Sequence, residues 1–325
     1  MKAEILCLIR NSKDGIRARD ICEKLNISTK SLERVVSQLV NEGYDIDTED
    51  NRIVMYSYPE ILSSAEIRSR LTTKWAAKNV YYRMETESTN DEAMSLAEDG
   101  KEHGSLVVAE HQNAGRGRRG RSWSMNRGES IAMSMILRPK LAPDRASIIT
   151  LVMAVSVAEV LQKLTDKEVR IKWPNDVLID KKKVCGILTE MSAVPGKVNH
   201  VVIGVGINVN QSEMPEDISR IATSLLIENG NRSGRSDIVV GIMDYFEYYY
   251  DMVEAAGDLS CLVDIYDGYL INKEAEVRIL DPKGEYNAVA QGINDYGELI
   301  IQKEDGSFDR ISSGEVSVRG VYGYV

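Results

Sequence analysis

The sequence predicts an α+β protein of three successive units, on three observations. Up to about residue 60, apolar side chains recur at helical spacing and then give way to two short alternating runs. The middle of the chain sets short β-branched segments, separated by turn residues, around one long apolar helix. From about residue 272 the apolar period falls to two, with turn signals roughly every ten residues. A chain of 325 residues suits two or three domains, and the pattern changes place their boundaries at 1–62, 63–270 and 271–325.

Composition narrows the function. Hydrophobic residues at 43% and charged residues at 28% describe an ordinary globular chain. The net charge of −10 argues against bulk binding to nucleic acid, so any DNA contact must be local. Cys7, Cys22, Cys185 and Cys261 lie far apart without a C-x-x-C pair, and the three histidines add no metal-ligand spacing. Reduced thiols and a cytoplasmic address follow as expectations. The N-terminal apolar run is too short for a signal peptide. The longest apolar stretch, 148–161, is too short for a bilayer and holds Ser156 and Glu159, so no membrane partner is expected.

In the first unit, Ile5, Leu8 and Ile9 mark one amphipathic helix, and Ile21 and Leu25 anchor a second. Ser28 caps a third, along which Leu32, Val35, Val36, Leu39 and Val40 keep helical spacing until Gly43 stops it. Residues 26–28 form the tight turn between the last two helices, and 44–47 with 52–56 form a two-stranded hairpin. This pattern resembles a winged helix-turn-helix, whose third helix enters the major groove. Thr29, Lys30, Ser31 and Arg34, at the start of that helix, are the candidate DNA-binding residues. Against them stand Glu33, Glu42, Asp45, Asp47 and the acidic tip Thr48-Glu49-Asp50-Asn51, all repulsive toward phosphate. A domain kept for packing alone is the competing reading.

The pattern breaks around 58–60, and 61–73 reads as a linker passing into a helix. Segment 80–85 is a strand, and Ser88-Thr-Asn-Asp caps a helix carrying Ala93, Met94 and Leu96. Strands at 106–109 and 133–137 flank a basic loop. After a helix over 148–164 come strands at 169–173, 177–179, 186–190 and 201–209, which predict a mixed sheet of hairpins with helices against one face. A polar stretch over 214–232 precedes a longer helix over 236–255, whose aromatic run at 245–250 belongs in a core. In the third unit, Val277 and Ile279, Val289, 299–301, Ile311 and 316–318 are strand segments, broken by turns at 281–284, 294–297 and 305–306. They suggest a small SH3-like β-barrel.

The basic loop, 112–123, reads Q-N-A-G-R-G-R-R-G-R-S-W. Arg116, Arg118, Arg119 and Arg121 ride on a backbone loosened by Gly115, Gly117 and Gly120, an arrangement suited to holding an anion. Residues 115–120 also satisfy G-x-G-x-x-G. A dinucleotide fingerprint, however, needs a helix directly after the glycines, and here Arg-Ser-Trp-Ser leads to strand-like Ile131, Met133 and Met135.

Two further segments raise this loop above a solvated basic run: K-W-P-N-D at 172–176 and K-V-C-G-I-L-T-E at 183–190. With E-S-T-N at 87–90 and G-V-G-I-N at 204–208 they resemble, in order and spacing, the biotin protein ligase family. The resemblance is close over about 80–210 and looser over the whole chain, and it includes the bifunctional type that also represses biotin synthesis genes. It implies a class II synthetase-like catalytic domain that makes biotinyl-5'-AMP from biotin and ATP, then moves biotin to a lysine of a biotin carboxyl carrier protein. It implies biotin binding by Ser88, Thr89, Asn90, Gln112, Gly115 and Arg116. It implies nucleotide binding by Arg118, Arg121, Trp123, Asn175, Asp176, Lys183 and Asn208. Segment 314–319 resembles the closing strand of the family's C-terminal domain.

Attack of a carboxylate on the α-phosphate brings two anions together, and positioned cations must neutralise the charge. Arg116, Arg118, Arg121 and Lys183 suit that work, with Lys183, Arg116 and Arg118 as the catalytic residues. Mg²⁺ would bridge phosphates, and Asp176 is the nearest protein ligand for it. Two alternatives stand beside the ligase: a biotin-sensing repressor with little ligase activity, and a lipoate or octanoate ligase. A repressor would bind operator DNA as a ligand-linked homodimer. One departure from the family, Gly128-Glu129-Ser130 in place of Gly-Asn and an aliphatic residue, is expected to alter the pocket floor.

Overall fold

A computed structural model describes residues 1–281, 284–313 and 317–320. The chain starts with α1 (Lys2–Arg10), β1 (Ile16–Arg17), α2 (Ala18–Leu25), α3 (Thr29–Asn41), β2 (Asp45–Glu49) and β3 (Arg52–Ser57). Ser28 caps α3, its Oγ accepting from Ser31 N at 3.2 Å. Asn26 takes the left-handed conformation (φ 51°) that turns α2 into α3. The apolar faces of the helices, including Ile5, Ile9, Ile21, Leu32 and Leu39, close a core of their own. The expected hairpin has a third strand: β1 pairs with β3, setting Ile16 opposite Ile53. Two residues are too few to carry a period-two signal.

The middle of the chain contains α4 (Ser64–Arg68), β4 (Val80–Arg83), α5 (Thr89–Glu98), β5 (Leu106–Ala109), β6 (Ser130–Leu137) and α6 (Ile148–Gln162). Then follow β7 (Val169–Lys172), β8 (Asp176–Ile179), β9 (Lys182–Val194), β10 (Lys197–Asn208), α7 (Leu225–Asn229), α8 (Arg235–Ala256) and α9 (Val263–Tyr269). Seven strands make one sheet in the order β4-β5-β6-β10-β9-β8-β7, parallel between β4 and β5 and antiparallel elsewhere. Both faces carry helices, which corrects the expectation of helices on one face. Leu106, Met135 and Ile203 point into the large core with α6 and α8, whereas Val107, Ile136 and Val202 point the other way, onto Ala93 and Ala97 of α5. Two alanines four apart let α5 lie close to the sheet, and such a face gives little apolar signal. The β9–β10 hairpin runs well past its predicted turn end, because a polar arm, with Ser192 opposite His200 and a bulge at Asn199, continues the ladder without alternation.

The third part holds β11 (Glu276–Asp281), β12 (Gly284–Ile293), β13 (Leu299–Gln302), β14 (Phe308–Ile311) and β15 (Ser317–Gly320). They form an antiparallel sheet in the order β14-β13-β12-β11-β15. Its inner face, with Val277, Ile279, Leu299 and Ile301, merges with the large core of the middle part through α9, a helix the sequence pattern does not announce. Residues 282 and 283 of the predicted turn and 314–316 of the predicted closing strand lie outside the described residues. The aromatic run behaves as expected: Phe246, Tyr249 and Tyr250 are buried, and Tyr248 alone of the run is well exposed.

Candidate active site

The site is built where strand alternation runs out of side chains. On the α5 face of β10 the sequence passes from Val202 to Gly204 and Gly206, while Ile203, Val205 and Ile207 fill the opposite core. Gly206 lies opposite Ala132 of β6 and Gly186 of β9, and Gly204 lies opposite Ser134 and Leu188. The result is a floor of small residues. A Cβ on Gly206 would stand 2.5 Å from Trp123 Cε2, and one on Gly204 would stand 2.0 Å from Asn90 Oδ1. The indole and the amide therefore rest directly on backbone.

The N-terminus of α5 supplies one wall. Ser88 is its N-cap, Thr89 N and Oγ1 donate to Gln112 Oε1 at 2.8 and 3.0 Å, and Ser134 Oγ donates to Asn90 Oδ1 at 2.6 Å. Asn90 Nδ2 donates to Glu190 Oε2 at 2.8 Å. The arginine loop supplies the roof and is itself paired: Trp123 N donates to Gly115 O at 2.8 Å and Gly117 N to Arg121 O at 2.7 Å. Gly115 is needed for this pairing, since its Cβ would lie 2.4 Å from Trp123 O. Arg116 reaches Asp91 and, at 3.2 Å, Glu190. Arg118 donates to Asn175 Oδ1 at 2.8 Å and to the carbonyl of Ser313. Burial pushes the Arg118 pKa below its ordinary value, Asp176 opposes the shift, and Arg119 and Arg121 add to it. An arriving anion would relieve that.

Across the floor, Lys183 Nζ pairs with Asp176 Oδ1 at 2.6 Å and lies 5.8 Å from the Trp123 ring centroid. Asn175 Nδ2 holds Ile187 O at 2.9 Å. Ser88, Thr89, Asn90, Gln112, Trp123 and Lys183, with Arg116, Arg118 and Asn175, line a cleft of about 50 Å³. An adjoining space of about 120 Å³ is lined by Arg118, Arg121, Trp123, Asn175, Asp176 and Lys183. Beyond Arg118 and Asn175 opens a wider cavity of about 620 Å³, between the start of α6, β9 and the 296–298 turn.

Nearly every candidate for binding biotin or nucleotide is thus gathered in one place, with two exceptions of position. Gly115 backs the loop without lining the cleft. Asn208 lies apart, buried, with Nδ2 on Thr223 O at 3.0 Å and Oδ1 accepting from Gln211 at 3.1 Å. Gly128, Glu129 and Ser130 do not reach the floor either: Glu129 accepts from Asn126, and its carbonyl accepts from Asn210 N at 2.7 Å. The expectation that they reshape the floor is corrected, because 204–206 and Leu188 form it. Sequence reasoning left out Lys172, buried beside Asp176, although the K-W-P-N-D segment contains it. It also left out Glu190, which no spacing rule connects with Arg116. Among the described residues no group of three or more His, Cys, Asp or Glu is placed to hold a metal ion.

Thr29, Lys30 and Arg34 are exposed at the start of α3, and Ser31 is half-buried with Oγ 3.0 Å from Ser28 Oγ.

Residues 82–208 match the biotin/lipoate A/B protein ligase family, and residues 274–319 match the biotin protein ligase C-terminal domain. The chain is 33% identical to the bifunctional ligase/repressor BirA of Bacillus spizizenii over 93% of this chain and 94% of that protein. It is 30% identical to BirA of Escherichia coli, over 91% of each. The biotin protein ligase of Aquifex aeolicus, solved in complex with biotin and ATP, superposes with a TM-score of 0.67 at 30% identity, covering 75% of this chain and 99% of that one.

Proposed function

We propose, from the premise that this chain belongs to the biotin protein ligase family and is a biotin protein ligase, that Lys183, Arg116 and Arg118 carry the formation of biotinyl-5'-AMP. One observation carries the reading: three cations from two distant segments, Arg116 and Arg118 of the 112–123 loop and Lys183 of β9, converge, each on a carboxylate or amide, over a floor that includes Gly204 and Gly206. In the reaction a biotin carboxylate oxygen bonds to the α-phosphorus of ATP, and pyrophosphate leaves. Lys183 exchanges Asp176 for the oxygens in transit, and Arg118 turns from Asn175 toward phosphate. The amine of a lysine on a biotin carboxyl carrier protein then attacks the acyl carbon, releasing AMP. The 620 Å³ cavity beside Arg118 gives that lysine room to approach.

Ser88, Thr89, Asn90, Gln112 and Arg116 hold biotin, with Gly115 shaping the loop. Arg121, Trp123, Asn175 and Asp176 hold the nucleotide, and Asn208 serves by tying β10 to Thr223. A cleft of about 50 Å³ is far below the roughly 300 Å³ of small-molecule pockets. Biotin therefore enters by lifting the 112–123 loop, which closes again over the adenylate and excludes water. Asp176, a single carboxylate already beside Lys183, fits an ion that arrives on phosphates with most of its waters. Mg²⁺ would supply charge neutralisation there.

We read 1–62 as a winged helix-turn-helix, 63–270 as a class II synthetase-like domain and 271–325 as an SH3-like barrel. Exposed Thr29, Lys30 and Arg34 support a second output, ligand-dependent repression at operator DNA. The free cysteines suit a cytoplasmic address, and no helix among the described residues is long and apolar enough to cross a membrane.

Purified protein given biotin, radiolabelled ATP and Mg²⁺ should yield biotinyl-5'-AMP and pyrophosphate. Lys183→Ala should slow adenylate formation by about a hundredfold or more. Arg118→Ala should make adenylate more slowly and also release it faster. Formation by Lys183→Ala at the wild-type rate would sink the assignment.

A further inference from the structure

We propose that Arg235 is a positioning residue for adenylation, pinning the base of the arginine loop to the linker that leaves the N-terminal unit. Arg235 opens α8, is 1% exposed, and lines none of the cavities at the cleft. Its Nη1 donates to Glu110 Oε2 at 2.7 Å and to Ser130 O at 3.2 Å. Glu110 is the residue from which the chain leaves β5 for the loop, and Ser130 is where it re-enters the sheet. One guanidinium nitrogen therefore bridges both stems, which also meet through Gly128 N and Glu110 O at 3.4 Å.

The other side of the same group holds the linker. Nη2 donates to Glu60 O at 2.9 Å, and Glu60 Oε1 accepts from the Arg235 backbone N at 3.0 Å. The second oxygen of Glu110 accepts from Leu62 N at 2.9 Å. Loop stems and linker thus share one buried ion pair, and breaking it would strand a carboxylate that is 5% exposed. Such a pair is either made or broken, with little between. A planar fork is required, because a lysine ammonium is a point charge that cannot span Glu110, Ser130 and Glu60 together. Loosening the stems lets the loop leave the adenylate, and displacement of the linker loosens the stems.

The inference rests on the reading that residues 112–123 close over the adenylate. Its test is limited trypsin digestion of the full chain, with and without biotin, ATP and Mg²⁺, scoring cleavage at Arg116, Arg118, Arg119 and Arg121 by mass spectrometry. Biotin KM and kcat are measured alongside for wild type, Arg235→Lys and Glu60→Ala. In wild type the substrates should protect the loop. Arg235→Lys, melting cooperatively, should be cut about tenfold faster with substrates present and raise biotin KM about tenfold, with kcat within about twofold. Glu60→Ala should move both readouts the same way by about threefold.

Wild type without substrate protection would remove the closing-loop premise, and the inference with it. Wild-type protection matched by both variants to within about twofold overturns the role of Arg235 alone. Should Arg235→Lys not fold, Glu60→Ala decides. Its side chain is 34% exposed, and its loss removes the carboxylate that faces Arg235 N at 3.0 Å and Nε at 3.4 Å while leaving the Arg235–Glu110 pair that the fold needs, so wild-type behaviour there would show that the link to the linker does not act on the loop.

Discussion

Gly206 is where the arginine loop meets the sheet. Any side chain there collides with the Trp123 indole at 2.5 Å, and the ring can yield only by lifting the loop that carries it. Gly206→Ala should therefore leave the fold intact, shorten the lifetime of bound adenylate by about tenfold and expose Trp123, which stopped-flow fluorescence would report. An unchanged lifetime would mean that the indole does not lie against the adenylate. The residues of the cleft were legible before the fold, since the chemistry of Arg118 and Lys183 can be argued from residue type and Gln112 and Asn175 stand in motifs that resemble the family's. Glu190 and Lys172 were not. Glu190 closes the 183–190 motif, but its pairing with Arg116, 74 positions away, has no signature in the sequence.

At the scale of elements, α8 shows how a helix face holds a loop. Glu247 accepts from the backbone N of Lys74 and Trp75 at 2.6 Å and of Ala76 at 2.8 Å. Burial alone would raise its pKa, but the three N–H groups outweigh it and hold the carboxyl below its ordinary 4.5. The stabilisation is therefore present above the unfolded value and lost as pH falls through the folded one. In urea melts, Glu247→Gln should be less stable than wild type at pH 7, and the gap should narrow as pH falls below the ordinary carboxylate range. A gap that stays constant with pH would show that the ionised form is not what the 74–76 turn selects. Elements with strong local signals, such as α3 with its Ser28 cap, were readable from the chain. The side of the sheet taken by α5 was not, because Ala93 and Ala97 bury little area and only packing against Val107 and Val202 gives them a direction.

Across the whole molecule, the N-terminal core is separate, yet it is locked to the rest through Glu66. This fully buried carboxylate takes Arg10 at 2.9 Å, Tyr44 OH at 2.5 Å and the guanidinium of Arg70. At the far side, β8 pairs with β9 only over 182–186, so among the described residues the outer edge of β9 over 188–194 carries no strand, with Val194 48% exposed. An open edge is where a second copy would pair if the ligand-linked homodimer expected from the sequence forms. Val194→Asp should keep adenylate formation while shifting the ligand-bound species toward monomer in analytical ultracentrifugation and weakening operator binding in fluorescence anisotropy. Dimerisation at wild-type strength would place the interface elsewhere. The sequence alone determined the mixed sheet in the middle of the chain and the change to period two after it, because these follow from period and turn chemistry, and its motifs, through their resemblance to the family, named most residues that line the cleft. Only the tertiary structure decided which strand faces lose their side chains to make the floor, which acids answer the arginines and that Arg235 joins linker to loop. Those are contacts between segments far apart in the chain, and no local pattern encodes them.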